Sequence, residues 1–182
     1  MSPPPHSDRA MPTGDGHHVA IDGRKWRATD PHIPAPHRSE LVSELMDARR
    51  AVGAAKRADD PAAERRARDR VGDAKVALGE RGAPWWEAAD DAARVARLEA
   101  VMRALLYHRK PEATICPSDA ARVAGGPGWR DDMDAARQVA FELQERGIVE
   151  VRQAGARVAS LDEVHGPLRI ARGPGFPPQN AV

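Results

Sequence analysis

The chain has 182 residues, 28 basic against 27 acidic, so its net charge of +1 gives no global field for nucleic acid or anionic lipid, and any such binding needs a local patch. Aromatic residues make up only 4 %, too few for a broad β-sandwich core, while an abundance of Ala and Arg suits packed helices. A single cysteine, Cys116, excludes an intramolecular disulfide and fits a reducing compartment, so the expected location is cytoplasmic.

Residues 1–17 and 173–182 are rich in Pro, Gly and polar groups and are expected to be disordered tails. The opening Met1-Ser2-Pro3-Pro4-Pro5 has neither the basic nor the apolar region of a signal peptide. No apolar run approaches the ~20 residues that span a bilayer, so no membrane partner is expected. Residues 18–87 then form a first folded unit. In His18–Thr29, Val19 and Ile21 alternate with polar residues, Asp22-Gly23 is a hairpin turn signal, and Trp26 follows on the return. This predicts a two-stranded ribbon that packs through Trp26.

The proline-punctuated stretch from Asp30 to Pro36 ends the ribbon. Beyond it Leu41, Leu45, Ala48, Val52 and Ala55 fall on one helical stripe, and Ala67, Val71, Ala74 and Leu78 on a second. Asp60 caps the second helix with Pro61 at its first position, so the two helices form an antiparallel hairpin. The dense mixed charges between the stripes read as a solvated, ion-paired face, with basic RNA or phosphate binding as the alternative. Of the tandem Trp85-Trp86, one ring is expected to plug the hairpin core, and the other either to be structural as well, the favoured reading, or to anchor a partner or an inter-domain contact.

The span 90–172 is expected to be a second unit with its own three-helix core. A helix runs from Asp90 to His108 on Val95, Leu98, Met102 and Leu105. Thr114-Ile115-Cys116 is extended, Ser118 is a cap for a short helix through Val123, and Gly125-Gly126-Pro127-Gly128 is a turn. Trp129 then leads a helix to Glu145, followed by a strand at Ile148–Val151, a Gly155 turn and a returning strand near Pro167–Ile170. The fold class is therefore mainly α with small β elements: an N-terminal β-ribbon and antiparallel helical hairpin, then a winged helix-turn-helix order.

The motifs Thr114-Ile115-Cys116-Pro117-Ser118, Trp129-Arg130, Gly147-Ile148-Val149-Glu150 and Gly166-Pro167-Leu168-Arg169-Ile170 resemble those of a bacterial domain family of unknown function. That resemblance implies a winged-helix-like fold and no particular activity. The stretch Asp22-Gly23-Arg24-Lys25-Trp26-Arg27-Ala28-Thr29-Asp30, with Ala77–Gly82 and Trp85-Trp86, is similar to the N-terminal region of proteins labelled biopolymer transporter Tol.

Candidate nucleic-acid contacts are Arg130 and Arg137 on the third helix of the second unit, and Arg152, Arg157 and Arg169 on its strands, suited to phosphates or a guanine edge. Against them stand Asp131, Asp132 and Asp134, and a span from Asp90 to Arg172 holding 13 basic and 13 acidic residues. Two readings stay open: a DNA-associated regulatory protein whose partner is duplex DNA, and a non-catalytic protein–protein interaction module. The hairpin, with Trp85 and Trp86, is the surface for a protein partner or a second copy.

No enzymatic chemistry emerges. Cys116 at a helix start, with His108 eight residues earlier, could be a thiol nucleophile or sensor, but a lone cysteine on a short apolar strand reads as a structural residue. His6, His17, His18, His32 and His37 lack metal-ligand spacing, so no metal is expected. The glycines from Gly125 to Gly128 lack the Lys-Ser/Thr of a phosphate-binding loop, and no cofactor is expected.

Overall fold

The computed structural model describes residues 11–178; of the expected tails 1–17 and 173–182, residues 1–10, with His6, and 179–182 lie outside them. Chain order is three strands, five helices and three further strands: β1 (Met11–Pro12), β2 (His18–Ile21), β3 (Arg24–Arg27), α1 (Ala35–Arg57), α2 (Pro61–Ala77), α3 (Asp91–His108), α4 (Pro117–Gly125), α5 (Met133–Glu145), β4 (Val149–Gln153), β5 (Ala156–Arg157) and β6 (Arg169–Arg172). The fold is mainly α with small antiparallel sheets, as composition and periodicity implied. Among the described residues no helix is long and apolar enough to cross a membrane.

The ribbon has three strands in the order β1-β2-β3, one more than alternation revealed. Residues 11–17, assigned to a tail by composition, are ordered. The Asp15 carboxylate accepts from Lys25, Thr13 and the His17 N–H, and these bonds hold it far below the ordinary carboxylate range. Nor does the ribbon pack through Trp26, which is 44 % exposed. It is fastened just beyond that residue: Trp85 Nε1 donates to the Ala28 carbonyl at 3.0 Å, and the His17 ring stacks on Trp86 at 4.2 Å.

The hairpin forms as its stripes predict. Asp60 caps α2 through a 2.9 Å bond from the Ala63 N–H, with Pro61 opening the helix. One pair of its charges is not solvated. Glu44 on α1 is fully buried and accepts from Arg70 Nε and Nη2 on α2 at 2.8 and 3.1 Å. The Arg70 guanidinium also lies 4.9 Å over the Tyr107 ring of α3. Other charges do form exposed pairs, such as Arg68 with Glu64 and Arg50 with Asp47.

α3 is the central helix. Leu98, Val101, Met102, Leu105 and Leu106 are completely buried, covering more than one face, as befits a helix surrounded by others. They belong to one cluster that contains Leu41, Leu45 and Leu78 of the hairpin region together with Ile115, Val123, Val139, Leu143 and Ile170. The separate core expected for residues 90–172 is thus continuous with the hairpin's, because α3 presents apolar side chains both ways. The end of α3 is closed from a distance: Arg172 of β6 donates to the carbonyls of Leu106 and Arg109 at 2.6 and 2.8 Å. Residues 173–178 also belong to the fold. Gly173 and Gly175 donate to the Ile148 and Gly147 carbonyls, and Phe176 packs on Tyr107 at 4.6 Å.

Two local boundaries differ from the periodicity reading. α4 is capped by Cys116 and not Ser118, with the Asp119 carboxylate accepting the Cys116 N–H at 2.9 Å. α5 starts at Met133, because Gly126–Gly128 form a tight turn and residues 129–132 continue in turns.

Removing one member of a buried ion pair strands the other, at a cost of about 3–5 kcal/mol. Arg70→Met is expected to destabilise the fold by that order in chemical denaturation at neutral pH. Burial already raises the Glu44 carboxyl above its ordinary value, against the lowering by Arg70. A group raised in the folded state favours folding less as pH climbs from its unfolded value through its folded one. Without Arg70 the rise is greater, so the deficit of Arg70→Met should shrink as pH falls from 7 toward the ordinary carboxylate range. A deficit independent of pH would contradict the assignment of a stranded carboxylate.

Candidate nucleic-acid interface

The sheet that follows α5 has the order β5-β4-β6. Val151 pairs with Ile170 on the core side, and both are fully buried. Alternation then sends Arg152 to the opposite face. Its cross-strand partners are Arg157 on β5 and Arg169 on β6. Three arginines therefore lie side by side in a row across the sheet, about 4.8 Å from strand to strand.

Each keeps its place differently. Arg157 is exposed at the end of the β4–β5 hairpin. The turn there is Ala154-Gly155, both at positive φ, as a two-residue hairpin requires. Arg152 donates from Nε to Glu150 at 2.6 Å, and Arg169 from Nε to the Thr114 hydroxyl at 3.0 Å. Thr114 precedes Ile115, whose bridge to Ile170 adds the expected extended piece beside β6.

The hairpin is fastened to α5 by one buried side chain. Gln144 donates from Nε2 to the Val158 carbonyl at 2.9 Å and accepts the Val151 N–H at 2.7 Å. It occupies the ladder position that an extra backbone pair would otherwise fill.

Arg130 is not on the helix with Arg137. It stands in the turn before α5, its guanidinium 4.7 Å over the Trp129 ring, and Arg122 of α4 lies at the same distance from that ring. Ala121-Arg122 belongs to the motifs that carry the family resemblance, but the nearness of Arg122 to Arg130 is hidden from any helical period by the glycine-rich turn between them. Arg137 is partly exposed, 3.7 Å from Asp134.

The three aspartates separate. Asp132 points inward: it sits 3.3 Å from Arg94 Nε, and a Cβ on Gly125 would collide with its carboxylate. Burial raises its carboxyl above the ordinary value, against Arg94. Asp131 and Asp134 remain exposed, as do Gln138 and Glu145. The outer side of α5 is thus acidic to neutral, while the sheet face is basic.

Trp85 and Trp86 are half-buried against the ribbon. Their rings meet edge to face at 5.1 Å, with His17 between them, stacked on one and 5.2 Å from the other. Cys116 is half-buried at the start of α4. The histidine at that corner is His37 of α1, whose Nε2 lies 3.3 Å from Asp119 Oδ1. Burial pushes Asp119 up, but the bonds from His37 and the Cys116 N–H, with Arg109 nearby, prevail and hold it at about 2. Among the described residues no three His, Cys, Asp or Glu side chains are grouped to hold a metal ion.

Gln144→Leu should cost about 1–3 kcal/mol, because it leaves the Val151 N–H and the Val158 carbonyl without partners. Amide exchange at Val151 should accelerate relative to Val139 on the buried side of α5. Unchanged exchange at Val151 would show that Gln144 does not fasten the sheet.

Residues 95–173 match the family model described as "Protein of unknown function (DUF3253)". The matched span runs from within α3 to just past β6 and takes in the whole arginine row, in agreement with the likeness to an uncharacterised domain family. No curated protein matches the chain.

Proposed function

We propose that the chain is a DNA-associated regulatory protein with a winged helix-turn-helix domain, whose sheet grips the phosphate backbone of duplex DNA. The observation that carries this reading is the row Arg157–Arg152–Arg169. Like charges placed directly opposite across strands destabilise a sheet. Glu150 offsets the charge of Arg152, but Arg157 and Arg169 flank it without a carboxylate partner among the described residues, an arrangement suited to a polyanion. It spans roughly 10 Å, along which one DNA strand rises past about three phosphates at 3.4 Å each. The succession α3, α4, α5, β4, β6, with Ile115 bridging to Ile170, supports the winged-helix assignment. The inward turn of Asp132 removes one of three carboxylates from the start of α5.

A second reading, a non-catalytic protein–protein interaction module, is favoured by the exposed Asp131 just before α5 and Asp134 and Glu145 on it, which would repel phosphates in a groove. The two differ in their response to salt. Each phosphate contact contributes a slope of about −0.9 in log affinity against log salt. Arg157→Ala and Arg169→Ala should each reduce that slope by about one unit, equally on unrelated duplexes. Arg157→Ala should leave the melting temperature unchanged or raise it, since it relieves repulsion. Absence of duplex binding by the wild type at ~50 mM salt, with none created by Asp131→Asn and Asp134→Asn, would overturn the DNA reading in favour of the interaction module.

A further inference from the structure

A second site lies between the ribbon and α1. The register that pairs Val19 with Trp26 and Ile21 with Arg24 puts all four side chains on one face of the ribbon. That face forms one wall of a cavity of about 610 Å³ whose opposite wall is Val42, Leu45, Met46 and Arg49 of α1. The volume lies within the ~300–1,000 Å³ typical of small-molecule sites.

The walls are unusual for a surface of this protein. Trp26 and Val42 are two of the three large hydrophobic residues that stand exposed among the described residues, at 44 % and 40 %. They line the same cleft. The floor is therefore apolar, and Trp26 offers an indole beside it for stacking.

The rim is cationic. Arg24, Arg27, Arg49 and Lys75 line the cleft against Asp22 and Glu80. Glu80 is already engaged, accepting from the Thr29 hydroxyl at 2.9 Å and lying 3.9 Å from Lys75. Lys75 also stands 5.6 Å from the centre of the Trp26 ring. Arg27 is committed to the Gly82 and Ala83 carbonyls. Arg24 and Arg49 are exposed, one on each wall, and neither forms an ion pair among the described residues. Arg24 and Arg49 line the same apolar cleft, one from the ribbon and one from α1, so a carboxylate bound in it has two unpaired guanidinium groups from which to accept.

We infer that this cleft binds a small amphipathic monoanion: a flat apolar body against Trp26 and Val42, with a carboxylate held between Arg24 and Arg49. The site is independent of the arginine row and of the reading built on it.

The probe is 4-biphenylcarboxylate, titrated into the full chain, with its neutral counterpart biphenyl-4-carboxamide as control. The four tryptophans give four indole N–H resonances, and Trp26→Phe identifies the one belonging to the cleft. The Trp26 resonance should move saturably with the carboxylate. The carboxamide should bind at least about tenfold more weakly, and so should the carboxylate to the Arg24→Ala/Arg49→Ala double variant, the loss expected of charge-assisted hydrogen bonds. Val42→Asp, a substitution at an already exposed position, places a negative charge on the wall and should weaken binding to the same extent whether or not the double variant folds. Equal binding of acid and amide overturns the inference. So does unchanged affinity in Val42→Asp, movement of the other indoles with Trp26 still, or no shift up to about 1 mM probe.

Discussion

Glu44 and Arg70 are the pair on which the rest of the structure rests. Their carboxylate and guanidinium meet bidentately between α1 and α2, with Tyr107 of α3 stacked against the guanidinium. Three helices are thereby tied together at one buried point. Burial pushes the Tyr107 hydroxyl up to about 12, so the ring meets Arg70 as a neutral face at any physiological pH. A buried pair of this kind is weak evidence for stability but a strong constraint on geometry, because any sliding of α1 along α2 would separate the charges. From this constraint follow the position of α3 and the surface on which α4, α5 and the second sheet pack.

Much of this architecture could be read from residue spacing. The two stripes of the hairpin, the Asp60 cap and the central helix all obey a helical period that water imposes on a one-sided surface. What could not be read was decided by contacts between distant segments. Glu44 and Arg70 resemble every other charge in their helices, and only the fold shows that one pair is enclosed. Residues 11–17 looked disordered because composition counts apolar side chains, whereas their order comes from Asp15 and from pairing with β2. Phe176 lay in a glycine- and proline-rich stretch, yet its ring fits on Tyr107.

The candidate site shows the same division. Arg152, Arg157 and Arg169 could be named from the chain, and Arg152-Gln153-Ala154-Gly155-Ala156-Arg157 even shows its symmetry about the turn. Their alignment into a row could not, since it depends on the pairing of β6, reached only after a loop of eleven residues between Arg157 and Arg169. The cleft beside Trp26 was hidden for the opposite reason. A tryptophan on a two-faced strand is expected to face the core, and here the tandem Trp85-Trp86 has taken over the fastening and left Trp26 at the surface.

The closure of α3 by Arg172 has a consequence for the order in which the molecule can be made. The carbonyls of Leu106 and Arg109 receive their donors from a residue synthesised more than sixty positions later. A chain emerging from the ribosome can assemble α1 and α2 early, but the last turn of its central helix keeps open acceptors until β6 arrives. Truncation before Arg172 therefore deprives α3 as well as the second sheet. The last turn of α3 completes its hydrogen bonding only once β6 has been released.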